Sequence, residues 1–253
     1  MGAPGDADNA GMLPRRRLVA TLPGRPWPAR CAALLLLALL AGAVPGARAA
    51  ASVRQQEIAS CEPGELLTWG DGSDRPAAGG RVPLVYRHAG APPWFDEAAV
   101  LAALQRAAQA WSACGVPVPV IGEEAAALYR EQLVVVQWSD AGSRGNFGLA
   151  DLGRRTLSLG PAAFQVLAQR NPRFPAQNTL QMVLSHELGH FFGLMAHSRR
   201  CVDVMSYYDN GRGETCHTRD GGSYKALPEY RALLPTACDI ARCRAINAPG
   251  GQR

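Results

Sequence analysis

From residue 82 onward, short β-branched or aromatic runs alternate with longer stretches in which apolar residues recur every three or four positions. Residues 82–87 (VPLVYR) follow the break at Gly79 and Gly80 and predict a strand. Asp96 then stands where a helix cap belongs, and Val100, Leu101, Leu104, Ala107, Ala108 and Trp111 form one apolar stripe behind it. Two further strands are predicted at residues 116–121 and 133–138. Pro117 and Pro119 cannot donate to a ladder, so the first belongs near a sheet edge, whereas LVVVQW is largely continuous and apolar and belongs in the centre. Residues 154–159 alternate toward their end as a half-exposed strand does. A second long helix is predicted over 178–192 and ended by Gly193, and a last one over 236–246, where Thr236 and Asp239 have capping-box-like spacing. Between those helices, the chain to about residue 226 is rich in Gly and contains Cys, with few signals of either period. The fold class expected is α+β, with an α/β-like N-terminal half followed by helices and loops.

The N-terminal third changes this picture. Residues 50–80 are polar and rich in Gly, Pro and Asp, and predict an irregular arm ahead of a catalytic or binding domain at 81–253. Residues 1–49 read as a secretory signal peptide: arginines at 15, 16, 17, 25 and 30, an apolar run over 31–44, and the small-x-small site Ala47, Arg48, Ala49. The run is shorter than the roughly twenty residues of a membrane-spanning helix. Six of the 26 basic and two of the 21 acidic side chains lie in this segment, which leaves 20 against 19. A near-neutral mature chain without a basic, aromatic-rich patch excludes nucleic acid as a partner, and no membrane association is expected after signal removal. Localisation is expected to be secreted or periplasmic, and the chain a monomer.

Cysteine usage agrees with export. Cys31 falls in the signal, and Cys61, Cys114, Cys201, Cys216, Cys238 and Cys243 remain, an even number that suggests three disulfides and admits fifteen pairings. Cys201 and Cys216 flank a short loop and are the best candidate pair. Cys238 and Cys243 lie five apart on a predicted helix, so each is expected to find its partner elsewhere.

The densest chemistry lies in HELGHFFGLMAH, where three of the five histidines fall within twelve residues. His186, Glu187 and His190 form HExxH. Four-residue spacing puts both imidazoles on one helix face, and Glu187 stands beside the first as a general base. Imidazole donors suit zinc, and a site with three protein ligands leaves a coordination position for water. Gly193 lets the chain turn back after the helix, His197 follows as a third ligand, and Met205 lies eight residues further on.

The string from Ser185 to Tyr208 resembles the metzincin signature, HExxHxxGxxH followed by a methionine turn, most closely that of matrixin-like bacterial peptidases. Weaker likeness runs through VPLVYRH, AAQAWSAC, LVVVQWSD, GLAD and LPTACDIARCRAI. The resemblance implies a zincin domain with a twisted mixed sheet, an active-site helix, a Met-turn and a C-terminal helix. It also implies one catalytic Zn2+ held by His186, His190 and His197, Met205 as the floor beneath it, and Tyr207 as a residue that binds zinc or stabilises the tetrahedral intermediate. The segment from Gly148 to Leu159 resembles the edge strand that pairs with an extended polypeptide substrate. A calcium ion is allowed but not indicated.

One position departs from the family: residue 196 is Ala, and the third histidine comes one residue late, so a bulge has to absorb the extra residue. Asn210 and Glu214 offer a rival ligand pattern, NxxxE, which needs a helix that Gly211 and Gly213 disfavour. His88 and His217 show no partner pattern. Asp203 is a candidate hydrogen-bond partner of a ligand histidine or of the amino terminus, or else a solvated loop carboxylate, and Cys61 is a candidate latency thiolate or, more simply, a disulfide partner. The reading is a secreted zinc endopeptidase in which Glu187 is the general base. An amidase acting on a cell-wall amide and a non-catalytic, zinc-stabilised binding protein are the alternatives.

Overall fold

The computed structural model describes residues 52–173, 175–222 and 229–249. The chain divides into two units, Met1–Ala49 and Ala50–Arg253. The signal segment expected at 1–49 lies outside the described residues.

A five-stranded sheet organises the second unit. Its strands are β1 (Leu84–Arg87), β2 (Val120–Ile121), β3 (Val134–Trp138), β4 (Gly148–Asp151) and β5 (Thr156–Leu159), in the order β2-β1-β3-β5-β4. All neighbours are parallel except β4 and β5, which are antiparallel, so the sheet is mixed. Strand β3 is central as its apolar run predicts, with Val134, Val136 and Trp138 buried. The prolines confine β2 to two residues at one edge. Their carbonyls still accept from Val82 and Leu84 at 2.8 Å, but they have no N–H to return. Strand β5 departs from the half-exposed expectation: Leu157, Ser158 and Leu159 are all buried. The polar side of its alternation is covered by the short helix α4 (Asp140–Ser143), whose Gly142 lies against the Ser158 hydroxyl.

Three more helices match the sequence pattern closely. Helix α2 (Glu97–Trp111) is capped by Asp96, whose Oδ2 accepts the Ala99 N–H at 3.0 Å. Helix α6 (Ala176–Phe191) carries Leu180, Leu184 and Leu188 at four-residue intervals, all fully buried. Each such leucine contributes roughly 1.5–3 kcal/mol on leaving water. The Trp111 indole locks α2 to α6 by donating to the Ser185 carbonyl at 2.8 Å and stacking on Phe192. Helix α7 (Ala237–Asn247) begins with the expected box at Thr236 and Asp239.

Besides α4, three helices were not foreseen. Helix α1 (Val53–Ala59), with its own Ser52–Gln55 capping box, begins the arm that was expected to be irregular throughout. A four-residue turn, α3 (Glu123–Ala126), follows β2. Helix α5 (Pro161–Arg170) starts on a proline and buries Phe164 among Phe95, Trp138 and Phe147. Tertiary contact, not a long periodic stripe, holds α5 in place.

Disulfides join Cys61 to Cys238, Cys114 to Cys243, and Cys201 to Cys216. The short-loop pair is the expected one, and both α7 cysteines have partners elsewhere. None of the described helices is long and apolar enough to cross a membrane.

Candidate metal centre

Burying the leucine stripe of α6 turns its opposite face to a cleft of about 490 Å³, where His186, Glu187 and His190 emerge. His197 reaches the same place from the loop that follows. The three ring centroids are 5.2 Å apart in every pair, and their donor atoms lie within 4.8 Å of one another. The extra residue before His197 is therefore absorbed. Gly193, at φ 97°, makes the turn, and Leu194 returns its N–H to the Gly189 carbonyl at 3.1 Å. A Cβ at position 193 would overlap the Arg75 carbonyl oxygen, so glycine also permits the arm to approach.

The hydrogen bonds fix which nitrogen of each ring faces inward. His186 Nδ1 meets the Val204 carbonyl at 2.7 Å, and His190 Nδ1 meets the Leu194 carbonyl at 2.8 Å. A carbonyl can only accept, so Nδ1 carries the proton in both rings, and Nε2 is left with its lone pair. His197 Nδ1 lies 2.7 Å from Asp71 Oδ2, and although burial opposes it, the combined contacts with His197 hold the Asp71 carboxyl below its usual range, which makes it an acceptor too. His197 Nε2 is buried and has no hydrogen-bond partner among the described residues. Leaving such an atom unsatisfied costs about 1–3 kcal/mol. Three converging Nε2 lone pairs, one of them orphaned, suit a cation with imidazole preference, so His186, His190 and His197 could hold a metal ion.

Electrostatics point the same way. Burial, then the neighbouring imidazoles, pushes His186 well below the usual histidine range, and burial with His197 nearby takes His190 down to about 4. His197 is also lowered by burial, against the opposing pull of Asp71. All three rings are neutral at neutral pH, as ligands must be. Glu187 is pushed up to about 7 by burial, and its Oε2 accepts the Ala150 N–H at 2.8 Å. That bond depends on Gly148, where a Cβ would overlap Val183 and come within 3.0 Å of Glu187 Cγ. Strand β4 can therefore lie close against α6.

Met205 is fully buried, with its sulfur packed against Gly189 between the two histidine turns of α6. Tyr207 is 45% exposed and lays its ring on His197 with centroids 3.6 Å apart. Its hydroxyl makes no hydrogen bond among the described residues. The remaining cleft walls include Phe147, Leu149, Met182, Val183 and Arg231.

No family model and no curated protein sequence matches the chain. Among solved structures it is similar to a chain of one described as "GM1 bound form of the ECX AB5 holotoxin", with a TM-score of 0.45 and 10% identity, covering 70% of this chain and 87% of that one. That overlap is too loose to inform either fold family or activity.

The other sequence candidates lie elsewhere. Glu214 is exposed, takes a hydrogen bond from Asn210 and faces Arg199 at 3.8 Å, with no helix to aim it at the histidines. His88 meets the Tyr86 hydroxyl, and His217 sits beside Arg200 in an isolated bridge. Cys61 is no latency thiolate, because it is bonded to Cys238. That bond also removes the two sulfur donors from the nearby cluster of Cys61, Glu65 and Cys238. Asp203 touches no ligand histidine. It accepts from Ser198 and Thr236 at 2.6 Å and from Arg200 at 3.1 Å, beneath the methionine turn. Asp71 and Asp74 are site residues that sequence reasoning missed. Both stand in a polar GDGSD stretch with no cap or period to mark them, and Asp71 meets its histidine across 126 residues.

Proposed function

We propose that this chain is a secreted, zinc-dependent endopeptidase of the metzincin type, similar to the matrixins. The observation that carries the reading is the convergence of three Nε2 lone pairs beside a half-buried carboxylate, at the foot of the outermost strand of the sheet. Bound there, zinc would supply Lewis-acid polarisation of the scissile carbonyl and of the attacking water. His186, His190 and His197 would hold the ion, and their Nδ1 bonds keep the rings aimed. Glu187 has one oxygen anchored on Ala150. Its other oxygen takes the proton of the attacking water and passes it to the leaving amine. Tyr207, whose ring stacks on His197 at the rim of the cleft, would steady the developing oxyanion.

Strand β4 is the outermost strand of the sheet, and Gly148, Leu149 and Ala150 line the cleft that contains Glu187 and the histidines. An extended polypeptide adding along that edge would bring a backbone amide to the centre, which favours a protein substrate over an isolated cell-wall amide. Three disulfides fit an exported protein.

The test is metal analysis of the purified chain, together with a casein digest with and without chelator. One zinc per chain, activity lost on chelation and activity regained on adding zinc are expected. A metal-free chain that cleaves casein at full rate would overturn the reading.

A further inference from the structure

His197 has four polar groups, and the N-terminal arm binds three of them. Its backbone N–H donates to Asp71 Oδ1 at 2.9 Å, its carbonyl accepts from the Trp69 N–H at 2.9 Å, and its Nδ1 meets Asp71 Oδ2 at 2.7 Å. Only Nε2 is left for the centre. The arm holds the neighbouring residues in the same manner. Arg199 donates to the Leu67 carbonyl and Arg75 to the Gly193 carbonyl, both at 3.0 Å, while Asp74 Oδ1 accepts the N–H groups of Met195 at 2.8 Å and Ala196 at 3.1 Å. Asp74 is itself clamped by Arg242 of α7, whose guanidinium also donates to the Ala196 carbonyl. The Cys61–Cys238 disulfide ties the start of the arm to the same helix.

Resting on the metal-centre reading above, we infer that arm residues 67–75 are a permanent brace behind that centre, and that Asp71 is a positioning residue that sets the place and basicity of the third ligand, His197. Two independent features lead there. The loop from Gly193 to His197 is one residue longer than the metzincin pattern, and that added length is spanned by Asp74, which takes two consecutive backbone N–H groups that have no helix or strand to receive them. Asp71 then uses both oxygens on a single histidine, one fixing its backbone and the other its ring. A carboxylate behind a ligating imidazole orients the ring and raises its donor strength, and losing such a partner lowers metal affinity about 10–100-fold. An arm with this role cannot be shed by the active form.

The experiment titrates zinc into the chelator-stripped full mature chain in competition with a chromophoric chelator, and records the cobalt(II) absorption spectrum of each variant. Asp71→Ala is expected to weaken zinc binding about 10–100-fold and to alter the cobalt spectrum. Asp71→Asn keeps an acceptor oxygen without the charge, and is expected to fall between Asp71→Ala and the parent in both readouts, an ordering that a merely structural role would not produce. If Asp71→Ala does not fold, Asp71→Asn alone decides, by a weakened zinc affinity in a chain with unaltered near-ultraviolet circular dichroism. Parental zinc affinity and an unchanged cobalt spectrum in the variants would overturn the role of Asp71 and leave the three-histidine centre standing. A parent chain that takes up no zinc, or a His190→Ala variant that keeps it, would overturn the centre itself. A casein-cleaving form that lacks residues 67–75 would overturn the permanence of the arm.

Discussion

Helix α6 and the loop from Gly193 to Ser206 feed the same cluster, but they are held by different kinds of contact. In α6, the 3.6-residue repeat places His186 and His190 a turn apart, and the Leu180, Leu184, Leu188 stripe fixes which way that face points. The loop has no such repeat. His197 is aimed by Asp71 and Trp69, and the Val204 carbonyl that orients His186 is held because Val204 donates its N–H to Asp239 of α7 at 2.9 Å. The spacing of a candidate ligand pair on a helix is thus set within five residues, whereas the place of a candidate ligand on a loop is set by whatever packs against it. The first arrangement is robust to distant change, and the second is sensitive to it.

Substitutions on the two sides can break this contrast. The largest effect belongs to the helix: Glu187→Ala is expected to reduce casein cleavage by about 10²–10⁴-fold with zinc content and folding unchanged. Zinc loss in that variant would show that Glu187 serves the architecture of the cluster instead of proton transfer.

On the loop side, Gly193→Ala combines a left-handed φ of 97° with overlap of the Arg75 carbonyl. Denaturant unfolding should report a loss of about 3 kcal/mol or more, since backbone strain alone costs of order 1–3 kcal/mol. Zinc affinity should fall with it. Gly213 is also left-handed, at φ 90°, but has nothing within 4 Å of its would-be Cβ. Gly213→Ala should therefore cost only about 1–2 kcal/mol and leave zinc binding alone. Equal losses at the two positions would mean that the arm does not press on the turn.

The smallest effect concerns the support beneath the loop. Burial and the nearby Asp203 carboxylate push Asp239 up to about 7, against the backbone N–H groups of Thr236 and Val204, and burial raises Asp203 as well. In the unfolded chain an aspartate titrates near 4. Between about pH 4 and pH 7 the folded protein keeps a proton that the unfolded chain has released, so this stabilisation is complete below pH 4 and is lost as pH rises through 7. In the metal-free chain this fall is opposed by His186, His190 and His197, whose lowered values make stability rise with pH over the same range, so the thermal midpoint of Asp239→Asn should lose the falling component and rise more steeply with pH than that of the parent. An unchanged slope in the variant would assign the pH dependence to other groups.

How much could be read beforehand follows the same division. The stripe of α2 and the Asp96 cap were legible because they obey a local period, and so was the central placement of β3, whose largely continuous apolar run suits an inner strand. Strand β5 was misjudged because α4 covers its polar side, a contact that no alternation records. Helix α5 was missed because one buried aromatic, Phe164, anchors it in a ring cluster drawn from distant segments. Helix α1 has its signal in Ser52 and Gln55, which the surrounding Gly, Pro and Asp residues mask.

By itself the sequence determined the HExxH spacing, the stop at Gly193, the Cys201–Cys216 staple and the order of the main elements. Each depends on residues close enough in the chain for backbone geometry to enforce their relation. Only the tertiary structure decided that His197 joins the cluster despite its late position, that an arm more than a hundred residues upstream holds it, and that Asp203 supports the turn without touching a ligand. Contacts between such distant segments form only once the whole core has set their positions, and no local pattern of residue types encodes them in advance.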